Sequence, residues 1–138
     1  MPEGIPYSSS NVVASAGLDL NYIGKHVYAY SGTFEAKTAA QTVIDTTSGN
    51  DYIVGEFQLN ACVGSTDPAT GTPTLAQILF NGIIIGIIKA EAISEDTPSS
   101  ERQKVIIPPY TKIEVIVDSD DNQSARLGTI GFVGRVYK

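Results

Sequence analysis

Thr74-Leu-Ala-Gln-Ile-Leu-Phe80, Asn81-Gly82, Ile83-Ile-Ile-Gly-Ile-Ile-Lys-Ala90 is the segment that sets the architecture of this chain. Asn-Gly between two apolar runs is the strongest short-range hairpin signal, because both central residues of a type I′ turn take positive φ. A two-residue loop places Phe80 opposite Ile83, Ile78 opposite Ile85 and Ala76 opposite Ile87, an apolar face that must be core. The reverse face then holds Leu79 with Ile84, Gln77 with Gly86 and Leu75 with Ile88. It is nearly as apolar as the first. Burying each of its Leu and Ile side chains contributes roughly 1.5–3 kcal/mol, so a wet face would forfeit several. A sandwich buries only one face of each sheet. The second face therefore calls for a cover, either the N-terminal arm or another subunit, and Leu75, Leu79, Ile84 and Ile88 are its expected contact residues. This requirement points to assembly rather than catalysis.

Upstream, residues 1–25 read as an extended arm and residues 26–138 as one β-sandwich domain. The arm has no sustained period of 2 or 3.6, yet Ile5, Tyr7, Leu18, Leu20 and Tyr22 are too apolar for a disordered tail and read as anchors against a partner surface. A loose terminus is the plain alternative. From His26 the pattern gives eight strands, at His26–Phe34, Gln41–Thr46, Asp51–Asn60, Thr74–Phe80, Ile83–Ala92, Arg102–Ile107, Lys112–Val117 and Leu127–Tyr137. The seventh alternates cleanly, with Ile113, Val115 and Val117 against Lys112, Glu114 and Ile116. No segment has a helical period. The expected fold is all-β, an eight-stranded antiparallel β-sandwich of jelly-roll type.

Connection lengths add a polarity. Thr47–Asn50, Asn81-Gly82 and Pro108–Tyr110 are tight turns, and alternation of strand direction gathers all three at one end. The long connections, Ala61–Pro73, Ile93–Glu101 and Asp118–Arg126, fall at the other and carry Asp67, Glu95, Asp96, Glu101, Asp118, Asp120 and Asp121.

A formal net charge of −6 argues against a nucleic-acid backbone or an anionic membrane as partner. Cys62 is the sole cysteine, which leaves neither a disulfide framework nor a thiolate metal site. Met1 to Pro6 lacks a basic and apolar leader, and no run approaches the ~18 apolar residues of a membrane helix, so synthesis in a reducing cytoplasm is expected. His26 is the one histidine and has no nucleophile motif around it, so no catalytic, cofactor or metal site is expected. Asp118-Ser-Asp120-Asp121-Asn122 has the opening spacing of a calcium loop, but Gln123 replaces the loop glycine and Thr129 the closing glutamate. Gly128, Gly131 and Gly134 recur every third residue without a following helix, and mark bends or close backbone approach rather than a phosphate loop.

The strand series, the tyrosine-bearing arm, Ile107-Pro-Pro-Tyr-Thr-Lys-Ile-Glu-Val-Ile-Val117 and Gly131-Phe-Val-Gly-Arg-Val-Tyr137 together resemble the single-jelly-roll decoration, or cement, proteins of tailed-bacteriophage capsids. The resemblance implies a non-enzymatic virion protein, made in the host cytoplasm, that sits as a homotrimer on the capsid exterior and braces the major capsid protein. A reading from another class is a receptor- or carbohydrate-binding module, a head fibre or tip, working through the acidic loop end. The scarcity of aromatics in those loops and the absence of Trp weigh against it. A cupin-type enzyme would need several histidine or carboxylate ligands on its strands, and the single histidine argues against that too.

Overall fold

The computed structural model describes residues 20–63, 74–90, 99–119 and 126–138, with the side chains of residues 62, 63 and 126 outside the description. Its strands are β1 (Asn21–Ile23), β2 (His26–Tyr30), β3 (Phe34–Glu35), β4 (Gln41–Thr47), β5 (Tyr52–Val63), β6 (Thr74–Phe80), β7 (Ile83–Ala90), β8 (Ser99–Ile107), β9 (Lys112–Ser119) and β10 (Arg126–Tyr137). The first sheet runs β1-β2-β10-β5-β8, with β3 also paired to β10, and the second runs β4-β9-β6-β7. Every pairing is antiparallel. Leaving aside the two short strands, the order is that of a jelly roll: most chain neighbours lie in opposite sheets or apart, so the sandwich is laced by long-range contacts.

Alternation drives this arrangement. Along β9, Ile113, Val115 and Val117 point inward and are buried, while Lys112 and Glu114 point out. Along β5 and β10 the inward set is Ile53, Phe57, Leu59, Ile130 and Phe132, with the Phe57 and Phe132 rings 4.7 Å apart. Ile44, Ile78 and Ile88 meet them from the second sheet. The triplet-spaced glycines of β10 mark close approach: a Cβ at Gly128 would lie 2.9 Å from the Phe34 ring, at Gly131 2.8 Å from the Tyr30 ring, and at Gly134 2.9 Å from the Phe132 ring. A three-residue step in a strand alternates faces, so the aromatic covers fall inside, outside and inside.

The tight turns do share one end, and hydrogen bonds bind them together. Ser48 N–H donates to the Thr111 carbonyl, Tyr110 N–H to the Gly49 carbonyl and Asn81 N–H to the Lys112 carbonyl, each at 2.8–2.9 Å. The buried Ser48 hydroxyl donates to the Pro108 carbonyl and accepts from Thr111 N–H, both at 2.8 Å. Asn81 Oδ1 accepts from Lys112 N–H at 2.9 Å. The turn end is a rigid cap. Asp67, Glu95, Asp96, Asp120 and Asp121, on the long connections, lie outside the described residues.

Three expectations change. Asn21–Ile23, in the expected arm, is a strand paired to β2 through a turn at Gly24, whose φ is +60°. His26–Phe34 is broken into β2 and β3, because Gly32 adopts φ +74° and Ser31 turns its N–H to the Ile130 carbonyl. The hairpin register also shifts. Asn81 and Gly82 have φ of 53° and 84°, as a type I′ turn requires, and Phe80 pairs Ile83 and Leu79 pairs Ile84. Beyond them Ile78 pairs Gly86, Gln77 pairs Ile87 and Ala76 pairs Ile88, so Ile85 is an extra residue in a bulge. One inserted residue moves every later side chain to the opposite face. Ile88 is consequently core, at 3% exposure, rather than part of the outer face, and Ile87 is outside at 58% rather than core.

Candidate functional site

The outer face of the second sheet is built in three rows by the strand register. Glu114, Leu79 and Ile84 lie side by side, then Ile116, Gln77 and Ile87, then Asp118, Leu75 and Lys89. Charge is confined to the β9 side and the far row, while the β7 edge near the hairpin is apolar. There Ile84 and Ile87 are exposed beside half-buried Leu75, Leu79 and Ile116, Ile85 is exposed at the bulge, and Ile83, opposite Phe80 on the inward side, is exposed beside the turn. The bulge is what creates this patch, since it brings Ile85 and Ile87 to the surface. β7 is also the last strand of its sheet, so the patch continues to an edge.

Of the expected contact residues, the structure gathers Leu75, Leu79 and Ile84 on this face and places Ile88 beneath it. Tyr22 is exposed on β1, with its hydroxyl directed toward Gly49 in the turn cap. Leu20 packs against the core and its N–H donates to Thr46 Oγ1 at 3.3 Å. Ile5, Tyr7 and Leu18 lie outside the described residues. Sequence reasoning missed Ile83, Ile85 and Ile87, and set Ile116 outward without counting it among the contacts. A run of isoleucines on both sides of a strand carries no alternation from which to choose a face.

The outer face of the first sheet was not singled out by the sequence, yet it too is aromatic and apolar in part. Tyr30, Tyr52, Val54, Ile106, Val133 and Tyr137 are exposed there, and the Tyr28 and Tyr30 rings lie 5.4 Å apart. Between β2, β10 and β5 this face dips into an open depression of about 440 Å³ floored by Gly131. A second depression, of about 630 Å³, lies at the turn end between Tyr22, Lys25, Arg135 and Tyr137, with Asp51 on its rim. Arg135 sits over the Tyr137 ring at 6.0 Å. Among the described residues no three His, Cys, Asp or Glu side chains converge as a metal centre requires, and His26 is exposed across the strand from Arg135.

What the geometry defines is a jelly-roll sandwich with two decorated outer faces and a laced turn end. No protein-family model matches the chain, and no curated protein does. Among solved structures, the crystal structure of the infectious bursal disease virus VP2 subviral particle is similar over 81% of this chain, with a TM-score of 0.50 and 13% identity. This chain covers 32% of that one, so it spans about a third of its length. The structure of the Gx strain of the same virus is similar over 83% of this chain and 37% of its own, at 11% identity and a TM-score of 0.46. The likeness to VP2 is one of fold: this chain has a β-sandwich that a viral capsid protein also has.

Proposed function

We propose that the protein is a non-enzymatic structural protein of a virion, a decoration or cement protein that sits on the capsid exterior and braces the major capsid protein as a homotrimer. The observation that carries this reading is the isoleucine-rich patch at the β7 edge, on a domain whose core is already complete without it. Exposed isoleucines gathered at one sheet edge, Ile84 and Ile87 on the outer face with Ile85 at the bulge and Ile83 beside the turn, are a standing demand for a partner surface, since isolated exposed apolar residues are common but clustered ones mark interaction sites. The sandwich shared with a viral capsid protein supports the setting, and the phage-type resemblance of the sequence supplies the decoration role.

In this reading the apolar strip joins copies of the chain, and the turn end meets the shell. That end is fixed by six mutually bonded turn residues, Ser48, Gly49, Asn81, Tyr110, Thr111 and Lys112, so docking it costs little ordering entropy. The β1–β2 turn lies there too, with Val136 N–H donating to the Lys25 carbonyl. The division into an arm, residues 1–25, and a sandwich, residues 26–138, belongs to this proposal, with β1 the place where the arm joins the sheet. Ile5, Tyr7 and Leu18 would then reach a neighbouring subunit.

Light scattering across micromolar concentrations tests the assembly directly. The full chain is expected at three times its 14.6 kDa mass, and Ile84→Asp at one times with an unchanged circular dichroism spectrum. A monomeric full chain, or an Ile84→Asp variant that remains trimeric, would refute the role of the strip. A cryo-EM map of particles that carry the protein then tests the exterior location, with density expected at positions of local threefold symmetry.

A further inference from the structure

The depression on the first sheet is not used by the assembly reading and has a chemistry of its own. In the outward row that contains Gly131, its neighbours are Tyr30 on β2 and Gln58 on β5. A glycine between two large outward side chains opens a gap in the face. Tyr30 leans over that gap, with its Cδ1 and Cε1 at 2.8 and 3.1 Å from where a Gly131 Cβ would stand, and the Tyr28 ring lies 5.4 Å from that of Tyr30 along β2. The ring is thus held by backbone and by a second ring while half its surface, 52%, stays open to solvent.

Beside the ring lies a chain of polar side chains fixed by one another. Gln58 Nε2 donates to Ser100 Oγ at 2.7 Å and to Asn60 Oδ1 at 3.1 Å. The Ser100 hydroxyl donates to the same Asn60 oxygen at 2.9 Å, and Asn60 Nδ2 donates to Thr129 Oγ1 at 3.2 Å. These bonds span β8, β5 and β10 on an exposed surface, where side chains would otherwise keep their rotamer freedom. They leave Gln58 Oε1, the Thr129 hydroxyl proton and one Asn60 N–H uncommitted among the described residues. Both donors and acceptors are therefore presented at fixed positions next to an aromatic face. Among the described residues Glu56 is the one charged residue lining the depression, while Lys104 and Arg102 of β8 stand across from Glu56 and Gln58 on the same face.

We propose that this depression binds neutral, hydroxyl-rich glycans. A saccharide ring has one face of aliphatic C–H groups, which suits the exposed ring of Tyr30, and a rim of hydroxyls that both donate and accept. The preset amide and hydroxyl groups match that rim without paying for ordering at the moment of binding. Within the depression Glu56 accepts hydroxyl protons and disfavours an acidic group placed directly against it. The volume of about 440 Å³ falls in the usual range of small-ligand sites, about 300–1,000 Å³. The site lies on the other sheet from the β7 strip, so it holds whether or not the protein decorates a capsid.

The test is retention of the full chain on immobilised oligosaccharides, with neutral hexose- and N-acetylhexosamine-containing structures beside sialylated and sulfated ones, followed by calorimetric titration of the best neutral compound. Neutral structures are expected to be retained, with affinity falling roughly tenfold or more in Tyr30→Ala and in Gln58→Ala. Ile84→Asp is expected to bind glycan as the wild type does, which separates this site from the assembly strip. Should Tyr30→Ala fail to fold, Gln58→Ala and Thr129→Val carry the test. Retention of acidic glycans only, no retention of any neutral structure, or undiminished affinity in folded Gln58→Ala and Thr129→Val would each overturn the proposal.

Discussion

Replacing Ile88 by alanine should unfold the domain far more readily than the same change at its neighbour Ile87. Ile88 is 3% exposed, opposite Ala76 in the core, and Ile87 is 58% exposed on the outer face. Ile→Ala removes three carbons, worth roughly 2.4 kcal/mol at about 0.8 each, and a cavity adds to this, so about 3–4 kcal/mol is expected at Ile88. In a domain of this length that lowers the melting temperature by roughly 10 °C or more. At Ile87 most of the surface is already wet, and the loss should stay below about 1 kcal/mol. The measurement is urea unfolding followed by circular dichroism, at a protein concentration low enough that self-association contributes nothing to either value. If Ile87→Ala proved as damaging as Ile88→Ala, or more so, the bulge at Ile85 would be wrong. The hairpin would then run straight from Asn81-Gly82, with the strip of exposed isoleucines differently composed.

Two further outcomes follow from packing and hydrogen bonding. Ser48→Ala removes both the donor to the Pro108 carbonyl and the acceptor for Thr111 N–H in a buried site, so it should cost about 1–3 kcal/mol in urea unfolding, while Ser48→Thr, which keeps the hydroxyl, costs less. Gly55→Ala places a Cβ 2.5 Å from Phe132 Cζ and 2.6 Å from the Val133 carbonyl oxygen, so the protein should lose several kcal/mol or fail to accumulate; a thermal melt unchanged from wild type would disprove that close approach.

Much of the architecture was legible in the chain because it is written locally. Positive φ at Asn81 and Gly82 is a property of two residues, and it closed the hairpin as expected. The inward sets of β9 and β10 follow from strict alternation, which survives any arrangement of the other strands. The gathering of Ser48, Asn81 and Tyr110 at one end follows from counting reversals. The register of β7 beyond the turn was not legible, since Ile83 to Ile88 is apolar on both sides and a one-residue slip leaves the pattern looking the same. Only the fit of Ile88 against Ala76, with Gly86 against Gln103 of β8, fixes which isoleucines go in. The same limit hid the Tyr30 depression: it needs Gly131 on β10 to lie between Tyr30 and Gln58, three residues separated by up to about a hundred positions that meet because the sheet order is β2-β10-β5. Short-range turn chemistry and alternation are encoded residue by residue, whereas strand order and bulges are chosen by how the two sheets pack, a property of all their side chains at once.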